Sequence, residues 1–497
     1  MTGAYSLLQK RFARLSELEG ALAVLHWDQA TQMPPGGAPA RGRQIAELSV
    51  IAHEMLISNE ITDLLSQAQD DTAGLDPWQS ANLAEMTRAS RHARALPGDL
   101  VGRLEVAKSG CEMAWRGARE AADFSLVASD LEALFELVRE SAAILGAALG
   151  LSPYDALLDC HDPGLRMAAI EPLFAALETE LPELLGQAIE RQKVQTTLPL
   201  AGPFPLDAQE AFGRDIMARL GFDFARGRLD VSDHPFTGGI PDDSRITTRY
   251  DVDEFTSGLM GIIHETGHAL YEQGLPARWR GQPVGGARGM VMHESQSLLM
   301  EMQIGRSPQF VQFMAPLLGK AYGANGPAWD AENLARIWTR VAPGLIRVDA
   351  DEITYPLHVA MRMRLEQAMI NGELAIPDLP GAWNDAVHAN LGLRVPDDAQ
   401  GCLHDIHWYF GAVGYFPTYT LGALAAAQIA AHLRTTQPDL MAGVAQGKIQ
   451  PLLEWLRANI HEVASRYQTD ELMTRATGAA LSADAFLAHL QARYLVD

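Results

Sequence analysis

The sequence predicts an all-α, mainly helical protein with one small β hairpin or sheet, and three observations carry that prediction. Ala, Leu, Glu, Gln and Arg dominate, and apolar residues recur at three- and four-residue spacing, the period of a helix face. Gly and Pro cluster at a few breaks between these stretches. The best strand candidate is the β-branched, polar run Ser244–Tyr250.

In chain order, Met1–Gly20 is a charged amphipathic stretch with Lys10, Arg11 and Arg14. It lacks a long apolar region and a cleavage site, so no signal peptide is expected. Met33-Pro34-Pro35-Gly36-Gly37 interrupts the first helices. Leu131, Leu134, Phe135 and Val138 form an apolar stripe, and Leu421–Leu433 is a nearly continuous apolar run that predicts a buried helix. Proline-punctuated turns fall at Pro199–Pro205 and Pro235–Pro241. The second of these, with Thr237-Gly238-Gly239 and Asp242-Asp243, sets up a turn before Ser244–Tyr250. No repeat or low-complexity tail is present, so residues 1–497 read as a single unit.

With 497 residues, 47% of them hydrophobic, the chain can bury a large core. Its net charge is −23, from 39 basic and 62 acidic residues. That balance argues against general affinity for nucleic acid or an anionic membrane. No run approaches 18 uninterrupted apolar residues, so no membrane span is expected. Cys111, Cys160 and Cys402 are scattered and odd in number, which implies no disulfide framework and fits a reducing, cytoplasmic setting.

Chemistry concentrates in Gly261-Ile262-Ile263-His264-Glu265-Thr266-Gly267-His268. Residues four apart share a helix face, so His264 and His268 can bind one ion together. Glu265, one residue on, is placed to reach an activated water rather than the metal. Asp253 or Thr256 could cap this helix. A catalytic zinc site needs a third protein ligand and an open position. Met290–Met300 reads as a second helix carrying His293 and Glu294, with a Gly/Pro-rich return before it; Glu294 is the favoured third ligand. The bland alternatives are buried core histidines and an exposed helix glutamate.

These residues, with five other segments, make the chain resemble the thermostable carboxypeptidases of the Taq carboxypeptidase type. The family's motifs occur in order: His234-Pro235-Phe236 (HPF), Asp243–Thr247 (DxRxT), His264–His268 (HExxH), His293–Gln296 (HESQ), Ile346–Asp351 (IRxxAD) and Gly401–Trp408 (GxxQDxHW). Leu25-His26-Trp27-Asp28-Gln29 is also similar to the family. His404 stands where the family's last motif has glutamine. The resemblance implies a gluzincin-like peptidase fold of two helical lobes around a deep central groove, with the metal-binding core at about 230–420. It also implies a cytoplasmic homodimer and one zinc ion per chain, replaceable by cobalt. The implied activity is broad removal of C-terminal residues from peptides, weak where proline is terminal.

A carboxypeptidase must hold a free α-carboxylate, and arginine does this best through a planar, two-pronged contact. Arg347 of IRxxAD is the first candidate and Arg245 of DxRxT the second. Each could instead form an ion pair, Arg347 with Asp349 or Asp351 and Arg245 with Asp243. Gly414-Tyr415-Phe416-Pro417-Thr418-Tyr419 resembles tyrosine segments of related helical peptidases. It nominates Tyr415, with Tyr419 behind it, as oxyanion donor. His407 is a further donor candidate, and His234 and Asp405 could position substrate. The rival functions are a metallo-endopeptidase on the same centre and a non-catalytic peptide-binding protein. A Ser or Cys hydrolase is disfavoured, since no G-x-S-x-G elbow is present.

Overall fold

The structure, a computed structural model, describes residues 3–232 and 235–496. Helices dominate it. The first, Ala4–Thr31, buries Tyr5, Leu8, Phe12 and Leu15 on one stripe, against Ile61, Leu64, Leu83 and Met86. It ends at the Pro/Gly break expected near residue 33, where a single 3-10 turn, Pro35–Gly37, leads into the helix Ala38–Ile57. Leu131, Leu134, Phe135 and Val138 all face the core from helix Ala128–Leu149. The apolar run Leu421–Leu433 lies within helix Phe416–Thr436, and Leu421, Leu424, Ala425, Ala427 and Ile429 are fully buried. No described helix is long and apolar enough to cross a membrane.

The chain divides into two compact units, each assembled from separate stretches. The first comprises Met1–Ala93, Thr197–Trp338 and Ala425–Ala480; the second comprises Arg94–Thr196, Thr339–Leu424 and Leu481–Asp497. The core anticipated at 230–420 is therefore shared out, its first part in one unit and its second in the other.

Among the described residues the strands form one small sheet in the first unit: β1 (Gly227–Val231), β2 (Thr237–Ile240) and β3 (Asp243–Thr248). The order is β1-β3-β2, with β3 parallel to β1 and antiparallel to β2. The strand expected at Ser244–Tyr250 is β3, which starts one residue earlier and ends two residues earlier. Thr237-Gly238-Gly239, expected as turn, is strand β2, and β1 was not foreseen. Gly239 has φ +93°, and a Cβ there would sit 2.0 Å from the Asp243 carbonyl oxygen, so the tight return into β3 requires glycine.

The sheet seats the metal-motif helix. Leu229 and Ile246 are register partners on β1 and β3, and both pack into a cluster with Ile262 and Ala269 of helix Thr256–Gly274. Neither Asp253 nor Thr256 caps that helix by its side chain. Glu254 does so, accepting from the Thr256 and Ser257 backbone N–H groups at 2.5 and 2.9 Å.

Candidate functional site

Helix Thr256–Gly274 places His264 and His268 on one face, and helix Gly289–Leu298 crosses it with Glu294. Glu294 Oε1 is 3.9 Å from His264 Nε2, and its Oε2 is 3.5 Å from His268 Nε2. One donor atom from each residue lies within 4.8 Å of the other two. Donors about 2.0–2.2 Å from a shared ion are separated by roughly these distances, and two imidazoles with a carboxylate leave a fourth position open. The three residues therefore fit a single divalent cation. The close crossing depends on Gly267: a Cβ there would lie 2.4 Å from the Gln296 carbonyl oxygen and 2.6 Å from Ser297 Cα. Hydrogen and nothing larger fits between the two backbones.

Both imidazoles are aimed from behind. Glu301 Oε2 is 3.0 Å from His264 Nδ1, so Nδ1 carries the proton and Nε2 keeps its lone pair for a metal. Glu301 sits in a π-helical stretch, Leu299–Gly305, that continues the Glu294 helix, and Arg306 donates to it at 2.7 Å. His268 Nδ1 lies 2.7 Å from His293 Nδ1, and His293 Nε2 lies 2.9 Å from Glu272 Oε1. One proton arrangement satisfies this chain: His268 donates to His293, His293 donates to Glu272, and His268 Nε2 remains open. His293, passed over as a ligand, thus orients one.

The buried carboxylates set the local electrostatics. Burial alone lowers His264, but Glu294, Glu301 and Glu265 outweigh it and push the imidazole up to about 10 when no cation shares the site. Burial, then His293 and His264, hold His268 well below its ordinary value. Burial raises Glu294 and Glu265. Glu301 is lowered, because Arg306 and His264 overcome its burial. Such a site suits a cation. Glu265 points its carboxylate at β2, where Thr237 Oγ1 lies 2.7 Å from Oε2 and 3.0 Å from the Glu265 carbonyl oxygen. The carboxylate of the base candidate is thereby within hydrogen-bond reach of Thr237.

A second polar group lies in the second unit. Arg347 is buried and bonded two-pronged to Asp405, Nη2 to Oδ1 at 2.9 Å and Nε to Oδ2 at 3.1 Å. Its Nη1 donates to Tyr355 Oη at 2.8 Å. Arg362 also donates to Asp405 Oδ2, at 2.6 Å. The partner of Arg347 is thus Asp405, not Asp349 or Asp351; Asp351 instead accepts from the Ile353 and Thr354 N–H groups at the next helix start. Asp405 and Tyr355 take three of the five N–H groups of Arg347 among the described residues. Tyr419 stacks against the guanidinium at 5.0 Å, His407 Nε2 is 3.2 Å from Tyr419 Oη, and Tyr415 packs edge-on to Tyr419. Burial and Arg347 push His407 down to about 4, and burial with Arg362 pushes His358 down to about 3. Two guanidiniums thus face one carboxylate among neutral histidines, a buried excess of positive charge suited to an anion.

Arg245 is in the first unit. It forms the Asp243 pair, at 2.6 Å from Nη2, and stacks on Trp27 at 4.5 Å. His234 lies outside the described residues.

The sequence matches the family described as "Carboxypeptidase Taq (M32) metallopeptidase" over residues 7–494. The chain belongs to that family. Among its relatives, Thermostable carboxypeptidase 1 of Thermus thermophilus is 40% identical over 496 residues, 98% of this chain and 96% of the relative. The structure superposes on metallocarboxypeptidase 1 of Trypanosoma cruzi with a TM-score of 0.97, at 39% identity and 99% coverage of both chains. For Pyrococcus furiosus carboxypeptidase the TM-score is 0.95, at 34% identity, covering 100% of this chain and 99% of that one. The protein is accordingly a metallocarboxypeptidase that works with a divalent metal.

In this carboxypeptidase Taq family member, Thr237, Glu272, Glu301, Arg306 and Arg362 are site residues that sequence reasoning did not nominate. Glu301 left one signal: it follows Glu294 by two helical turns in the same run, on the same face.

The departure at His404 has a structural consequence. Its Nε2 accepts from the Arg347 backbone N–H at 3.2 Å, while its Nδ1 faces Arg362 Nη2 at 3.2 Å. Both neighbours are donors, and a neutral imidazole accepts at one nitrogen. A glutamine oxygen, with two lone pairs, could serve both. Burial pushes His404 down to about 3; Asp405 opposes this, while Arg362 and Arg347 reinforce it. Below pH 6.5 the unfolded chain binds a proton here that the native state refuses, so this contribution to stability falls as pH drops from about 6.5 toward 3. His404→Gln is expected to gain on the wild type by about 2 kcal/mol in going from pH 8 to pH 5, read from urea midpoints. Its kcat/KM limbs above pH 6 should not move. A stability difference that ignores pH contradicts this account.

Proposed function

We propose that this metallocarboxypeptidase removes single residues from peptide C-termini, with Glu265 as general base and broad tolerance of side chains. The observation that carries the reading is the convergence of His264, His268 and Glu294 beside a Glu265 carboxylate within hydrogen-bond reach of Thr237. The donor set of two imidazoles and a carboxylate suits zinc, one ion per chain, with cobalt able to replace it. When bound, the ion polarises the scissile carbonyl and acidifies water. Glu265 takes the proton as water oxygen attacks the carbonyl carbon, then delivers it to the departing amine. Tyr415, backed by Tyr419, and His407 donate to the developing oxyanion or to the substrate.

Arg347 is assigned the substrate's terminal carboxylate, because the Arg347–Arg362–Asp405 group holds one more cation than anion. Arg245, already paired and stacked, is assigned a supporting substrate contact, and so is His234. Arg347→Ala leaves Asp405 paired with Arg362. It is expected to lower kcat/KM on free C-termini roughly 10- to 150-fold, the range for a lost charged hydrogen bond. Equal losses on free and amidated peptides would count against carboxylate binding.

The deciding experiment is digestion of mixed peptides, free and C-terminally amidated, with product masses read with and without chelator. Stepwise loss of single residues from free ends, abolished by chelator and stalled by amidation, is the expected result. Internal cuts in amidated peptides would favour the endopeptidase reading. We assign the enzyme to the cytoplasm, consistent with three cysteines that form no disulfide, and to a homodimer. Helix Ala38–Ile57, which buries no residue completely, is compatible with a partner copy. Light scattering tests the dimer.

A further inference from the structure

Helix Thr354–Asn371 carries His358, Arg362 and Glu366, each four residues after the last, on one face and fully buried. In a helix otherwise lined by Leu357, Val359, Met363 and Met369 this is a polar ridge. Arg362 binds Asp405 and faces His404, within the last sequence motif. Glu366 continues the ridge one turn further. Its Oε2 accepts from Trp408 Nε1 at 3.0 Å, and its Oε1 accepts from the Gly414 backbone N–H at 3.2 Å and from Tyr154 Oη. Three separate segments therefore meet on one carboxyl group. Burial pushes that carboxyl up to about 7, against the donors that pull it down. Apolar residues of similar volume stabilise a core at least as well as a buried charge, so stability alone does not account for the ridge.

Position accounts for it. Gly414 has φ +81°, and a Cβ there would sit 3.0 Å from the Leu157 carbonyl carbon and 3.1 Å from Leu158 N. The loop before Tyr415 is thus pressed onto helix Pro153–His161. His161 Nε2 is 3.1 Å from the Val413 carbonyl oxygen, and its ring meets Tyr415 edge-on at 5.1 Å. The Gly414 N–H, next to Tyr415, is held by Glu366.

We propose that Glu366 is a positioning residue, which fixes Gly414 and Trp408 and through them sets where the Tyr415 hydroxyl stands. The inference rests on the assignment of Tyr415 to the oxyanion. Its test uses Glu366→Gln in the full-length, metal-loaded enzyme. The amide keeps the size but turns one acceptor oxygen into a donor facing donors. Three quantities are measured: hydrogen exchange of the 411–415 segment, kcat and KM, and metal content. Exchange is expected to rise at least tenfold and kcat to fall about tenfold, with KM within twofold and metal content unchanged. In a Tyr415→Phe background Glu366→Gln should cost less than a further twofold. Unchanged exchange overturns the proposal. So does an unchanged kcat, or a kcat loss that persists in full without the Tyr415 hydroxyl. Should Tyr415→Phe itself be fully active, the oxyanion assignment fails, while the exchange result still judges Glu366. Glu366→Asp carries the same measurements where the amide variant does not fold. If neither folds, Glu366 is a general stability residue and the proposal is wrong.

Discussion

Replacing Glu265 with glutamine is expected to lower kcat about a thousandfold while leaving the bound metal in place. The magnitude follows from the proposed role, since a positioned general base contributes about 10² to 10⁴ in rate. Retention of metal follows from the geometry, because the cluster that can hold the ion is His264, His268 and Glu294. Glutamine keeps the shape of Glu265 and can still meet Thr237, whose hydroxyl lies within reach of both the side chain and the main-chain carbonyl. What it loses is the ability to accept a proton. Metal content measured beside turnover separates the two effects: near-normal metal with collapsed kcat supports the assignment, whereas near-normal kcat removes Glu265 from the chemistry.

The candidate metal cluster was legible because its information is mostly local. A spacing of four on a helix forces two imidazoles onto one face, and a buried second helix with a carboxylate is a natural third donor. The residues that tune it were not legible, because they act across the fold. Thr237 reaches Glu265 only once β2 is laid against the metal-motif helix, and Glu272 reaches His268 only through His293. Arg347 shows the same limit. Sequence neighbours Asp349 and Asp351 were its natural partners, yet Asp405, 58 residues away, takes the charge. Asp351 was occupied differently, by the start of a helix. The cap of helix Thr256–Gly274 falls on Glu254, between the expected Asp253 and Thr256, for a related reason: a glutamate side chain has the extra length to fold back over Thr256 and Ser257. The helical class was readable from periodicity, but β1 is a short strand whose character comes from pairing with β3 rather than from its own residues.

Gly267→Ala is expected to abolish metal binding, and with it activity, through a single added methyl group. The contacts that Cβ meets are backbone atoms of Gln296 and Ser297, at 2.4 and 2.6 Å, so no flexible side chain can swing aside. Ordinary contact begins near 3.4 Å, so helix Gly289–Leu298 must retreat by about 1 Å. Glu294 rides on that helix two residues before the clash. Its oxygens stand 3.5 and 3.9 Å from the imidazole nitrogens, and a retreat of that size takes them out of ligand range. Overpacking of this kind costs about 1–3 kcal/mol in stability as well. Gly261, in the same helix, supplies the control, because nothing lies within 4 Å of a Cβ built there. Gly261→Ala should bind metal normally and be more stable by up to about 1 kcal/mol, since alanine favours the helix. Metal stoichiometry after dialysis, set beside the thermal midpoints of the two variants, distinguishes a lost ligand from a weakened helix. If Gly267→Ala retained a full equivalent of metal, the close crossing would not be what brings Glu294 to the histidine pair.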